Sequence, residues 1–318
     1  MEKLPGLKEI EEAAERISGV ASRTPLVESP ALSRRTGKEV FLKLECFQPI
    51  KVFKIRGAYN KISQLKERRV VAASSGNHGI AVAYSSHLLG KDCTVVVPET
   101  IVREKRDTIS DFGAEIVSFG RYSHERESKA REIASSTGAA FVHPYNDADV
   151  IAGQGTCGLE IAQQVSDIDS VLVPVGGGGL ISGVSIALGS LRPKAKVFGV
   201  EPESAPKLTR ALEAKRIVQV SSPSSIADGL IPSALGELTF AACSMNVDGT
   251  FTPTDEQILD ATSTMVNLAR VVAEPSGAAP LAPLLSGNLE SVGRRVVLIV
   301  SGGNVSRGLL TKLLSKEP

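Results

Sequence analysis

The chain lacks a C-x-x-C pair, a signal-peptide core, an apolar run of membrane length and any marked excess of one charge. Its four cysteines, Cys46, Cys93, Cys157 and Cys243, stand far apart in 318 residues. That spacing leaves no visible zinc or disulfide framework, and they read as reduced thiols of the core or a pocket. No run approaches the roughly 20 apolar residues that a membrane span needs. The opening MEKLPGLKEIEEAAERI reads as a charged amphipathic helix, so a cytoplasmic location is expected. With 36 basic and 35 acidic side chains the formal net charge is +1, which implies neither nucleic acid nor an anionic membrane surface as a partner. What remains is the composition of an ordinary soluble protein, 42% hydrophobic and 22% charged. Single cores stop growing near about 250 to 300 residues, so two lobes are expected.

Short β-branched runs recur at Val70 to Ala73, Cys93 to Val97, Glu115 to Phe119, Val171 to Val175, Val197 to Glu201 and Val296 to Val300. Helical spacing lies between them, as in Ile80, Tyr84 and Leu88, or Ile258, Thr262, Val266 and Ala269. Alternating strand and helix predict an α/β fold of two open, mainly parallel sheets flanked by helices. "VHPYNDAD", Val142 to Asp149, and the charged "QLKERR", Gln64 to Arg69, are the candidate lobe boundaries. They divide the chain into a discontinuous large lobe, 1–66 and 146–318, and a small mobile lobe, 67–145. No internal repeat or low-complexity tract is visible.

The most telling glycines are Gly176, Gly177, Gly178 and Gly179 in "VLVPVGGGGLISG". They follow an apolar strand and precede a helix expected near Leu180, so backbone N–H groups can approach an anion at a positive helix end. A tight strand-helix turn needs fewer glycines, and a phosphate site is the better reading. Gly153, Gly155 and Gly158 in "GQGTCG" match the dinucleotide pattern G-x-G-x-x-G, but no buried strand precedes them and no acid stands about 20 residues on. Close helix packing is expected there instead. "SSGNHG", Ser74 to Gly79, again joins strand to helix and could hold a carboxylate on Ser74, Ser75, Gly76, Asn77 and His78. It could equally be a plain helix cap, with His78 structural. Ser301 in "VSGGNVS" ends the strand RRVVLIV, where ligands bind in open α/β sheets, although a strand-terminal Ser-Gly-Gly is often only a turn. Finally, "KVFKIRGAYNK" places Lys54 between Phe53 and Ile55, while Lys51 and Arg56 read by default as ordinary surface charges.

A lysine, a phosphate cradle, an Asn-bearing loop and a strand-end serine together meet the needs of pyridoxal 5'-phosphate: an amine for its aldehyde, an anion site, a donor to its ring oxygen and a partner for its ring nitrogen. Eight blocks then extend the argument: "TPLVESPALSRRTGKEVFLKLECFQPIKVFKIRGAYNKI", "SSGNHGIAVAY", "HPYNDADVIAGQGT", "VPVGGGGLISGV", "GVEPESAP", "IADGL", "EPSGA" and "SGGN". In this order the chain resembles the fold type II pyridoxal-phosphate enzymes of the threonine dehydratase and serine racemase group. The resemblance implies that Lys54 is the Schiff-base lysine and the base for the α-proton. Phe53 would lie against the cofactor ring and Asn77 would bond its ring oxygen. Gly176 to Gly179 with Leu180 would bind the phosphate, and Ser301 would face the ring nitrogen. Ser74 to His78 would hold the substrate carboxylate, Glu274 would stand near the reactive face, and Asp228 near the lobe interface. The implied activity is loss of water from L-threonine or L-serine, giving a 2-oxo acid and ammonia, by a homodimer or tetramer.

Ser75 keeps a second activity open. Lys54 and Ser75 on opposite faces of a substrate are what racemisation demands; relatives that resemble this loop with Ser at this position include serine racemases and hydroxyaspartate dehydratases. A non-catalytic amino-acid sensor is disfavoured by the intact Lys54. Two departures stand out. Relatives read Thr-Gly-Ser-Phe-Lys where this chain has Ile50, Lys51, Val52, Phe53 and Lys54. Cation-binding relatives place an acid six residues after Glu201; here Glu201 and Ala205 match, but Lys207 takes the third position, and its ammonium is expected to replace the ion. No strand-helix array follows Ser301, so the feedback domain of long biosynthetic relatives is not expected.

Overall fold

The computed structural model describes residues 3–74, 76–120, 123–287 and 290–315. Among the described residues ten strands form two sheets: β1 Leu26–Glu28, β2 Glu39–Lys43, β3 Arg69–Ala73, β4 Asp92–Val97, β5 Glu115–Ser118, β6 Ala140–Phe141, β7 Ser170–Pro174, β8 Lys196–Val200, β9 Gly249–Phe251 and β10 Arg295–Ile299. The larger sheet runs β1-β2-β10-β7-β8-β9 and the smaller β5-β4-β3-β6. Only β1 and β2 pair antiparallel; every other pairing is parallel. Strands such as β7, SVLVP, are buried along their whole length, as a parallel strand covered by helices on both faces must be. All four strands of the smaller sheet come from residues 69–141.

The six apolar runs match β3, β4, β5, β7, β8 and β10 to within a residue or two. The strands β1, β6 and β9 have three, two and three residues, too few for a period to show. The four cysteines are buried and free. Among the described residues no helix is long and apolar enough to cross a membrane.

"GQGTCG" lies in the interior of the helix Ala148–Gln164. A Cβ at Gly153 would stand 2.6 Å from the Arg56 carbonyl oxygen and the Gly57 Cα, and one at Gly158 2.9 Å from the Val184 backbone. From the other side, a Cβ at Gly183 would meet Gly155 N and Ile151 O at 2.4 Å. These glycines let backbones approach, so one central helix fixes both the helix that Lys54 opens, Lys54–Ile62, and the helix that follows the glycine loop, Gly179–Leu191. The packing reading of this motif stands, and the chain makes no strand-turn-helix of dinucleotide type here.

Overpacking at such a crossing costs typically about 1 to 3 kcal/mol. We expect Gly183→Ala to lower unfolding stability by at least that much. Gly308→Ala, in a helix and with open space around the added methyl, should be neutral or stabilising, because alanine is the better helix former. Denaturant titration of both variants checks the contrast.

Candidate active site

Lys54 owes its place to the end of β10. The Phe53 N–H donates to Ser301 O at 3.0 Å, Val52 bridges Gly302, and the Gly303 N–H donates to Lys51 O at 2.8 Å, so the "SGGN" turn clamps the segment before the lysine. Lys51 is held there at φ +58, a left-handed conformation that favours glycine. Lys54 then begins its helix and points its amine into a cavity of about 230 Å³. Its Nζ donates to Pro144 O at 2.6 Å and sits 5.2 Å from the centre of the Phe53 ring. Desolvation lowers its pKa to about 8, which leaves about a tenth of it neutral at pH 7 and about half at pH 8.

Arg56 is not the surface charge expected of it. It is 0% exposed, with Nε 2.7 Å from Glu45 Oε2 and Nη1 2.7 Å from Glu160 Oε1. Lys43, also buried, reaches Glu160 Oε2 at 2.6 Å, and Thr24 donates to Glu45 Oε1 at 2.6 Å. Burial alone would raise the Glu45 pKa, but the Arg56 guanidinium beside it holds the carboxyl below its ordinary value. The network anchors the Lys54 helix two residues after the lysine.

The glycine loop lines the same cavity as the amine. Gly178 has φ +93, and Gly179 begins the following helix one residue earlier than expected. A Cβ at Gly177 would stand 2.1 Å from the Tyr145 ring, and one at Gly176 2.6 Å from the Gly229 carbonyl oxygen. Side chains are excluded from both faces, so the loop presents backbone amides at a positive helix end, as an anion requires. The residues present therefore fit pyridoxal phosphate: a desolvated amine, a phosphate cradle, and Ser301 and Asn77 all line the same cavity.

Asn77 opens the helix Asn77–Leu88. Its Nδ2 donates to Glu274 Oε1 at 2.6 Å, and its Oδ1 accepts from Asn304 at 3.0 Å. Glu274 Oε2 is buried with no hydrogen-bond partner. Burial raises the Glu274 pKa to about 7, against the pull of Lys105. The Ser74 Oγ accepts from the Gly76 and Gly79 amides at 3.0 and 2.7 Å, so it caps this helix as well as lining the cavity. His78 Nε2–H donates to Val142 O at 2.9 Å, and burial pushes its pKa down to about 3, which makes it a neutral, structural histidine. Ser75 lies outside the described residues. Every other residue proposed for cofactor or substrate lines this one cavity, Leu180 and Asp228 included.

Lys105, Arg126 and Tyr145 are among the lining residues that sequence reasoning missed. Lys105, on the helix Arg103–Asp111, bonds Asp228 Oδ2 at 2.5 Å. Arg126 reaches the wall while only 4% exposed. Tyr145 comes from the loop read as a mere lobe boundary. Lys105 and Arg126 stand among many charges with no motif to single them out, but the aromatic in "HPYND" was a usable signal.

A desolvated lysine facing an anion cradle at the carboxyl ends of parallel strands defines an enzyme that carries a phosphorylated carbonyl cofactor. A family model described as pyridoxal-phosphate dependent enzyme matches residues 17–302, and the chain belongs to that family. It is 41% identical over 314 residues to an L-threonine ammonia-lyase of Thermotoga maritima, covering 98% of this chain and 78% of the relative. It is 38% identical to an L-threo-3-hydroxyaspartate ammonia-lyase of Saccharomyces cerevisiae, covering 98% of this chain and 97% of that one. The solved structure of maize serine racemase superimposes with a TM-score of 0.94 at 36% identity, covering 98% of this chain and 97% of the other.

Breaking a buried ion pair from one side costs about 3 to 5 kcal/mol, so Arg56→Met, which leaves Glu45 and Glu160 uncompensated, should destabilise by that order in denaturant titration. Unfolded Glu274 ionises near 4.5 and the folded residue near 7. The folded state therefore holds the extra proton in that window, and stability falls as pH rises through it. In cofactor-free protein, Glu274→Gln removes this component, so the variant should gain on the parent from pH 4.5 to 7. Thermal melts across that range read the difference.

Proposed function

We propose that this chain is a hydroxyamino-acid ammonia-lyase, taking L-threonine or L-serine to a 2-oxo acid and ammonia. The observation that carries the reading is the low-pKa amine of Lys54 facing the glycine cradle. Bound pyridoxal phosphate supplies a carbonyl that takes up the substrate amine and draws electrons from its Cα. Gly176 to Gly179 with Leu180 would hold its phosphate, Asn77 and Ser301 would bond its ring, and Phe53 would support it, all from the wall of one cavity. Ser74, the backbone at Gly76 and Asn77, and Ser75 receive the substrate carboxylate at the start of the Asn77–Leu88 helix. Lys54, partly neutral near pH 8 because it is desolvated, accepts the α-proton. The glycine backbone and Tyr145 wall exclude water from that side.

Residues 67–145 are proposed to form the small mobile domain, supported by the smaller sheet's confinement to 69–141 and by the Lys105–Asp228 bridge across the cleft. A cytoplasmic homo-oligomer, dimer or tetramer, is part of the same reading. One observation favours a second substrate class: the buried Arg126 guanidinium on the cavity wall suits a second carboxylate, as in 3-hydroxyaspartate. Racemisation would need Ser75 to serve as a second acid or base besides Lys54.

The test is holoenzyme with L- and D-threonine, serine and 3-hydroxyaspartate, scoring both 2-oxo acid and chiral inversion. The proposal expects 2-oxo acid from the L-hydroxyamino acids. Ser75→Ala should abolish any inversion and spare elimination. Arg126→Leu should cut kcat/KM for 3-hydroxyaspartate by at least about tenfold more than for threonine. Inversion without elimination would refute the lyase reading.

A further inference from the structure

Directly behind the glycine loop sits a buried cation that the chemistry above does not use. Lys207 opens the helix Lys207–Ala214 and is 0% exposed, as is Glu201. Its Nζ donates toward four oxygens: Val175 O at 2.9 Å, Leu230 O at 2.9 Å, Ala205 O at 3.0 Å and Glu201 Oε2 at 3.1 Å. Three carbonyls and a carboxylate converging on one point make the oxygen shell of a hard metal ion. Here an ammonium, with three protons to share and no acceptor of its own, stands at the centre.

Local electrostatics alone would not put it there, because the positive end of a helix repels a cation. Glu201 resolves the conflict. Its Oε2 also accepts from the Leu208 amide at 3.0 Å, and its Oε1 from the Thr209 amide and hydroxyl, both at 2.8 Å. One carboxylate thus caps the helix and balances Lys207. Burial draws the Lys207 pKa below its ordinary value and Glu201 opposes that shift.

The carbonyls belong to the elements that build the cavity. Val175 immediately precedes Gly176, and Leu230 closes the turn Asp228–Leu230. The two are stacked tightly, since Gly176 has no space for a Cβ against the Gly229 carbonyl. We infer that Lys207 is a built-in monovalent cation: its ammonium fills a carbonyl-lined ion site beneath the glycine loop, holds that loop against the Asp228 turn, and frees the chain from any need for a metal ion at this point. Lys207 is a positioning residue. Its influence on the cofactor rests on the reading of Gly176 to Gly179 as the phosphate cradle; its role as an ion does not.

The experiment reads the two separately. Cofactor-free parent and Lys207→Ala are melted in a buffer whose only cation is tetramethylammonium, then with ammonium, potassium or magnesium added, and pyridoxal phosphate affinity is measured by fluorescence titration in each. The parent should be indifferent to a chelator and to every added ion. Lys207→Ala should melt several degrees lower and bind the cofactor about tenfold more weakly. Ammonium or potassium, small enough for the hole, should restore both, whereas tetramethylammonium should not. Restored melting without restored affinity would keep the ion site and overturn its link to the cradle. A variant equal to the parent, or a defect that no ion alters, would overturn the inference, as would a parent that a chelator weakens and magnesium restores. If Lys207→Ala does not fold in tetramethylammonium, recovery on refolding with ammonium or potassium supports the inference and failure with every ion contradicts it.

Discussion

The site depends on an arginine that never meets water. Arg56, two residues beyond Lys54, lies between Glu45 and Glu160 with both carboxylates within 2.7 Å of its nitrogens, and Lys43 completes the network from β2. Removing such a network from water is costly, and its worth lies in geometry: a fork-shaped cation bonded on two sides permits one placement of the helix that carries it. The Lys54 helix is then pressed against the Ala148–Gln164 helix through Gly57 and Gly153, where no Cβ fits. With the backbone immobile, the lysine amine can be held in a cavity, against an aromatic ring and a carbonyl, where water would otherwise keep its pKa near that of a free amine.

The same economy recurs around the glycine loop. The Gly179–Leu191 helix is held by the same central helix, through Gly155 and Gly183, so amine and phosphate cradle share one reference. The loop itself is confined by Tyr145 on one side and the Gly229 backbone on the other. Glycine is required there for two reasons: three positions have no space for a side chain, and Gly178 has a left-handed backbone. A rigid scaffold with reactive groups on its loops is the general pattern of α/β enzymes.

Much of this was legible in the sequence, for reasons that can be stated. Long apolar strands such as β7 and β10 carry a strong local signal, and so does a run of four glycines between strand and helix. The resemblance across eight ordered blocks added what single motifs could not, the joint identity of Lys54, Asn77 and Ser301 as one site. What escaped was tertiary. Arg56 looks like a surface charge because nothing near it in sequence announces Glu45 and Glu160, which reach it from 11 and 104 residues away. Lys105 and Arg126 sit on charged helices of the smaller sheet and acquire meaning only when the cleft assembles. The "VHPYNDAD" loop was read through its turn residues, yet its Pro144 carbonyl accepts from the lysine and its Tyr145 ring packs on the glycine loop at Gly177.

The central claim is that a desolvated amine without a carboxylate partner, on the wall of the cavity that the glycine loop lines, is selected among many. Borohydride reduction of the holoenzyme followed by peptide mass mapping tests it most directly, because reduction fixes the cofactor to whichever lysine carries it. The account predicts the pyridoxyl label on Lys54 alone, with Lys51, Lys61 and Lys105 unlabelled. A label on any of those neighbours, or none on Lys54, would contradict it.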